Sequence, residues 1–218
     1  MFDFLKKKTK HENDDIRNVL FGDRKIEQWS GSGMPWELFL KAKDEISLGK
    51  NTEAVKTLKD IISIEGLESR HYIQAWYFLR QLGEVPDNNI GSKVYGVVIE
   101  VALEQGLDIL VAYEDYTARY FNYSGAAIVW DKPDNSLNES IASLLSIGQT
   151  VVDRIGPWDN ERPKPPERGN VRLNFLTPRG LHFGEGPFNL LSKDPMGGPV
   201  IAAGIKLMQQ LIEKSKDK

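Results

Sequence analysis

The sequence predicts an α+β fold: a helical N-terminal segment, then an antiparallel sheet of about six strands with two covering helices, in the order ββββαββα. Three observations carry this expectation. Apolar residues recur at helical spacing from Pro35 to Leu82, the apolar period changes to two from Lys93 to Trp130, and a helix-length stripe then separates four strands from a last hairpin and a terminal helix. Strands that follow one another through short turns pair antiparallel, because a parallel pair needs a long crossover.

The 218 residues, 40% of them apolar, suffice for a real hydrophobic core. Lys and Arg total 28 against 31 acidic residues, a formal charge of -3, so composition argues against nucleic acid as the principal partner. The absence of cysteine removes disulfides, thiol nucleophiles and thiolate metal sites. The opening MFDFLKKKTK has its basic run after a short apolar patch, the reverse of a secretory signal, and the apolar run Val94–Tyr113 is interrupted by Glu100, Glu104 and Asp108. The expectation is an intracellular, cytoplasmic protein without membrane association.

Residues 1–33 are expected to form a polar mobile tail and linker, because KKKTKHENDD is highly charged and WSGSGMP is rich in small residues. A three-helix segment is expected over 34–86. Pro35 suits a first helical turn, and Trp36, Phe39, Leu40, Ile46 and Leu48 form a stripe that Gly49 ends. Ala54, Val55, Leu58, Ile61 and Ile62 form the next stripe, ended by Gly66. Tyr72, Ile73, Trp76, Phe78 and Leu79 form the third, closed by Gly83 and Pro86.

In this segment Gly49, Ala54 and Leu58 stand at the spacing of the inter-helix glycine, the small packing residue and the later apolar position of a tetratricopeptide repeat, and AWYFL at 75–79 is similar to the start of a next repeat. The resemblance covers about fifty residues. Asn51 stands where the repeat usually has an aromatic, and Gly49 and Trp76 are further apart than the repeat period. What the resemblance implies is helical-hairpin geometry, not a function.

The α+β domain is expected over 92–218. Tyr95, Val97, Ile99, Val101 and Leu103 line one face of the first strand, and Leu107, Ile109, Val111 and Tyr113 one face of the second. For both sets to share one core, the loop must be Glu104-Gln105-Gly106, which places Val101 opposite Ile109. A strand over 117–123 turns at Ser124-Gly125 into another over 126–130, and a two-residue loop there sets Arg119 across from Trp130. A helix over 137–155, with Leu137, Ile141, Leu144, Leu145, Val151, Val152 and Ile155, covers the sheet. After a Pro-rich loop at 156–170 come a hairpin at 171–186 and a last helix opening at Pro199.

The loop and hairpin, GPWDNERPKPPERGN followed by VRLNFLTPRGLHFGEGPF, are the most unusual part of the chain. Phe175 and Phe183 share a face only if the connection is Pro178-Arg179-Gly180. In that register Arg172, Asn174 and His182 face away from the core beside Gly184 and Gly186, and Glu185 falls on the apolar face. A carboxylate there is either a candidate general acid or base or a strand-end group that reaches solvent or an arginine. The two glycines admit the Pro-rich loop, a helix or a flat ligand. Trp158 either anchors the loop or is offered to a partner together with Arg162. Arg119 on its apolar face is either a cation–π partner of Trp130 or a carboxylate receptor. The scattered His11, His71 and His182 give no metal-ligand spacing, so no metal and no cofactor is expected. Gly197-Gly198-Pro199 is either a tight helix entry or an anion-holding turn, and it lacks the spacing of a phosphate loop.

No nucleophile, base and orienting acid fall together. The leading expectation is therefore a binding or protein-interaction protein, not an enzyme, with a protein partner met at loop 156–170 and hairpin 171–186, and with Trp158, Arg162, Arg172, His182, Glu185 and Arg119 as candidate residues. The alternative is a small-molecule sensor or enzyme with a pocket between the sheet and that loop.

Overall fold

Val- and Ile-rich segments build six strands: β1 Gly96–Ala102, β2 Leu107–Tyr113, β3 Ala118–Phe121, β4 Ala127–Trp130, β5 Asn170–Thr177 and β6 Gly180–Pro187. They form one antiparallel sheet in the order β4-β3-β2-β1-β5-β6, so the fold is α+β. The computed structural model describes residues 10–216, with side chains described from residue 16. Around the sheet lie α1 Lys10–Phe21, α2 Trp36–Ser47, α3 Asn51–Ile62, α4 Ser69–Gln81, α5 Asn88–Gly91, α6 Asn138–Val152, α7 Phe188–Leu191 and α8 Gly197–Lys216. The short helices α5 and α7 were not anticipated; each is a single turn between longer elements. Among the described residues, no helix is long and apolar enough to cross a membrane.

The central strands of the sheet are buried on both faces. On one, Val97, Ile99, Leu110, Ala112, Val171, Leu173 and Phe175 pack against Ile141 and Leu144 of α6 and Ile201, Leu207 and Leu211 of α8. On the other, Val98, Ile109, Val111, Tyr113 and Leu176 pack against Leu20 and Phe21 of α1 and Ile73 of α4. A third core joins α2, α3 and α4 through Phe39, Leu58, Ile61 and Leu79 around Trp29. The Trp29 ring meets Phe39 at 4.9 Å and Phe78 at 4.5 Å, both edge-on.

Within the expected tail and linker, residues 16–29 are packed onto the fold. Arg17, Leu20, Phe21 and Trp29 are buried, because Ile16, Leu20 and Phe21 recur at helical spacing inside a charged stretch and the Arg17 charge is met by Glu100. The part of the expected tail at residues 1–9 lies outside the described residues.

All three hairpin registers differ by one residue from the sequence expectation. Val101 pairs with Asp108, and Ile109 with Glu100, across the four-residue turn Leu103–Gly106. Ala118 pairs with Trp130, and Arg119 with Val129, because the turn is Tyr123-Ser124-Gly125; Gly125 has φ 88°, and Asn122 Oδ1 accepts from the N–H groups of Ser124 and Ala126. Phe175 pairs with His182, and Asn174 with Phe183, across the two-residue turn Pro178-Arg179, where Thr177 Oγ1 donates to Gly180 O at 2.9 Å. The expectation required the apolar residues of neighbouring strands to share one core, but β1, β2 and β5 contribute buried residues to the cores on both faces, while the edge strands β4 and β6 contribute to one core each, so apolar alternation does not select the pairing.

Turn carboxylates fix the starts of two helices. Ser69 and Asp115 exchange hydrogen bonds that tie the start of α4 to the β2–β3 turn. Asp194 Oδ1 accepts from Met196 N at 2.8 Å and Gly197 N at 2.7 Å, and these bonds hold its pKa below the usual carboxylate range. The Gly197-Gly198 entry is thus closed by the chain's own carboxylate and is a tight helix start.

Candidate functional site

After α6 the chain cannot continue helically through Pro157, Pro163, Pro165 and Pro166, and it crosses the sheet face that also carries α1. The crossing is pinned at several points. Trp158 N donates to Leu181 O at 2.6 Å and Trp158 Nε1 to Glu161 O at 3.0 Å. Arg162 forks onto Asp23, with Nε to Oδ2 at 2.6 Å and Nη2 to Oδ1 at 3.1 Å, while Nη2 also donates to Asn18 Oδ1 at 2.6 Å. Its guanidinium lies 4.5 Å from the centre of the Phe21 ring. The loop is thus held to α1 by a side chain that sequence reasoning offered to a partner.

Beneath the loop lies a buried charge network. Glu100 is fully buried on β1; its Oε1 accepts from Arg17 Nε at 2.7 Å and its Oε2 from Asn174 Nδ2 at 3.2 Å. Arg172, also buried, donates from Nε to Glu185 Oε2 at 2.7 Å and from Nη1 to Lys164 O at 2.6 Å. Arg17 Nη2 adds a bond to Pro163 O at 3.2 Å. Each charge meets an opposite charge or a carbonyl, as a buried ion requires. Burial draws the Arg17 pKa below its ordinary value, although Glu100 opposes this.

The six residues singled out from sequence separate into three places. Trp158, Arg162, Arg172 and Glu185 gather on the α1 face. His182 points to the opposite face beside Phe175 and is buried, and burial lowers its pKa. Arg119 is on β3, three strands from β5, where it donates to Trp130 O at 3.2 Å and pairs with Asp131 at 2.7 Å. Three expectations are corrected by the shifted register. Glu185 lies opposite Arg172 instead of on an apolar face. His182 does not share a face with Arg172 and Asn174. Gly184 and Gly186 have nothing within 4 Å of the position a Cβ would take, so neither the loop nor a helix packs on them.

Between the pinned loop, the tip of the β5–β6 hairpin and helices α1 and α4 there is a groove of about 610 Å³. Its floor is Gly180-Leu181, one wall is Trp158–Arg162, and the other carries Tyr77 and Arg80 of α4. Trp158 stands at the rim with 42% of its surface exposed, one edge against Phe183 at 5.2 Å. Arg80 was missed by sequence reasoning. An arginine in the last turn of a helix looks like an ordinary surface cation facing the helix dipole, and only the docking of the hairpin onto α4 encloses it. Arg80 Nη1 donates to Pro178 O at 2.6 Å, and burial pulls its pKa down to about 10. Among the described residues, no three of His, Asp or Glu stand together as a metal-holding group.

No protein-family profile matches this chain, and neither curated proteins nor solved structures show a significant similarity to it.

Proposed function

We propose that this is a cytoplasmic, non-enzymatic binding protein that takes a segment of a partner protein in the groove beside loop 156–170 and hairpin 171–186. The observation that carries the reading is the state of Trp158. Its backbone is fixed by the bond to Leu181, and Arg162 and Arg172 hold the loop that follows, yet the indole stays 42% exposed at the rim of a groove of about 610 Å³. A large aromatic held in place before binding loses little entropy on contact, and such residues dominate interface energetics. The groove is within the usual size range for a binding site, about 300–1,000 Å³.

In this reading Arg162, Arg172 and Glu185 position the loop, and contact with the partner falls to Trp158 and the groove walls. The distribution of the polar candidates supports binding over acid–base catalysis: Glu185 and His182 face opposite sides of the sheet on β6, and Arg119 is four strands away on β3. The test is partner capture by the full chain with and without the indole. Trp158→Ala is expected to lose the partner while keeping the fold, and undiminished capture overturns the reading.

A further inference from the structure

Arg80 lies in the groove without a direct ion pair, and the Asp23 carboxylate that acts on it from further off is itself held by Arg162. Arg80 donates to the carbonyl of Pro178, and among the described residues no carboxylate lies within the 4.0 Å of an ion pair. A guanidinium has five N–H donors, so most of its capacity is unused by this bond. Of the neighbouring arginines, Arg162 is paired with Asp23 at 2.6 Å, whereas Arg179, like Arg80, meets a neutral oxygen, Asn88 Oδ1 at 2.6 Å. Beside Arg80 the floor carries no side chain: a Cβ placed on Gly180 would make ordinary contact with Arg80 Nε at 3.9 Å and with Pro157 Cβ at 3.8 Å. The space over this glycine therefore lies between the guanidinium and the start of the loop.

We propose that the groove's ligand presents a single carboxylate, held by the Arg80 guanidinium over Gly180, with its carbon body against Leu181 and Trp158. This rests on the reading of the groove as the recognition surface. Four basic and three acidic side chains line the groove, so one negative charge balances it, and a second would meet Asp159 and Glu161. That balance favours a carboxylate over a phosphate dianion, and the planar fork of arginine suits a carboxylate. The carboxylate can come from a free small molecule or from a peptide.

The test is an NMR titration of the full chain that follows the Arg80 Nε–H signal, assigned by its loss in Arg80→Lys, and the Gly180 and Leu181 amides. The probes are benzoate, neutral benzamide, inorganic phosphate, and a short apolar peptide with either a free or an amidated C-terminus. Saturable shifts with benzoate or the free-acid peptide, absent with benzamide and the amide, and weakened by about tenfold in Arg80→Gln, are expected from the loss of a charge-assisted contact. The tighter of the two carboxylates identifies the source. Equal shifts with benzoate and benzamide, tighter binding of phosphate, unchanged benzoate affinity in Arg80→Gln, or no shift with any carboxylate overturns the proposal. The broader reading is decided separately, by partner capture with Trp158→Ala in a protein whose Arg80 is intact.

Discussion

Arg172 stands directly across the β5–β6 ladder from Glu185 and donates to its Oε2 at 2.7 Å. The same guanidinium reaches Lys164 O at 2.6 Å and lies 3.8 Å from Glu100, so one buried cation joins β6, the Pro-rich loop and β1. Removing it leaves buried Glu100 with less compensation and the loop carbonyl without a donor. Arg172→Met is expected to cost about 3–5 kcal/mol in urea unfolding, whereas Glu185→Gln, at a partly exposed position that keeps hydrogen-bonding capacity, should cost about 1 kcal/mol.

Arg162 acts on the loop's order more than on the global fold. Arg162→Ala removes the fork to Asp23 and the contact with Asn18, charge-assisted bonds of about 1.5–3 kcal/mol each at most. Amide hydrogen exchange over residues 158–164 should quicken, while exchange in β1 and β5 stays slow. Unchanged protection of the loop would show that its hold lies elsewhere.

Helix α6 approaches the sheet closely at Gly148, where a Cβ would meet Val97 Cγ2 at 2.9 Å and Phe175 Cδ1 at 3.0 Å. Both neighbours are fully buried and cannot give way freely. Alanine gains about 1 kcal/mol in helix propensity, but overpacking costs about 1–3 kcal/mol. Gly148→Ala is therefore expected to lower the unfolding midpoint, against the propensity trend.

Stability should fall as pH drops below the ordinary histidine pKa of 6.5, because burial lowers the pKa of both His71 and His182 in the folded state. Between the folded and unfolded values the unfolded chain binds more protons, so each histidine removes up to about 1.4 kcal/mol per pH unit until its folded pKa is reached. The loss is absent above the unfolded value. Replacing His71, whose ring meets Trp36 edge-on at 5.5 Å, with Phe should flatten the urea midpoint between pH 7 and pH 5.

The α+β class and the six-stranded antiparallel sheet were legible because period and turn residues are local signals. Register was not. Val98, Glu100, Ile109 and Val111 alternate with Val97, Ile99, Leu110 and Ala112, and both sets are buried, so no one-sided pattern selected a pairing. The second cover was hidden because α1 reads as a charged stretch, its burial depending on Arg17 meeting Glu100, a residue 83 positions away. Loop 156–170 was recognisable by composition. Which of its side chains face inward depended on Asp23 and Asn18, and the cation of the groove depended on where Pro178 lands against α4.

The most direct measurement compares partner recovery by tagged full-length protein with Trp158→Ala and, as a control on the opposite sheet face, Ile205→Ser, followed by affinity measurement with the purified partner. Ile205 is 40% exposed on α8, so both changes spare the cores. With urea midpoints unchanged, affinity is predicted to fall by about tenfold or more in Trp158→Ala and to be retained in Ile205→Ser. Equal affinity in all three proteins, or loss only in Ile205→Ser, would contradict the groove as the recognition surface.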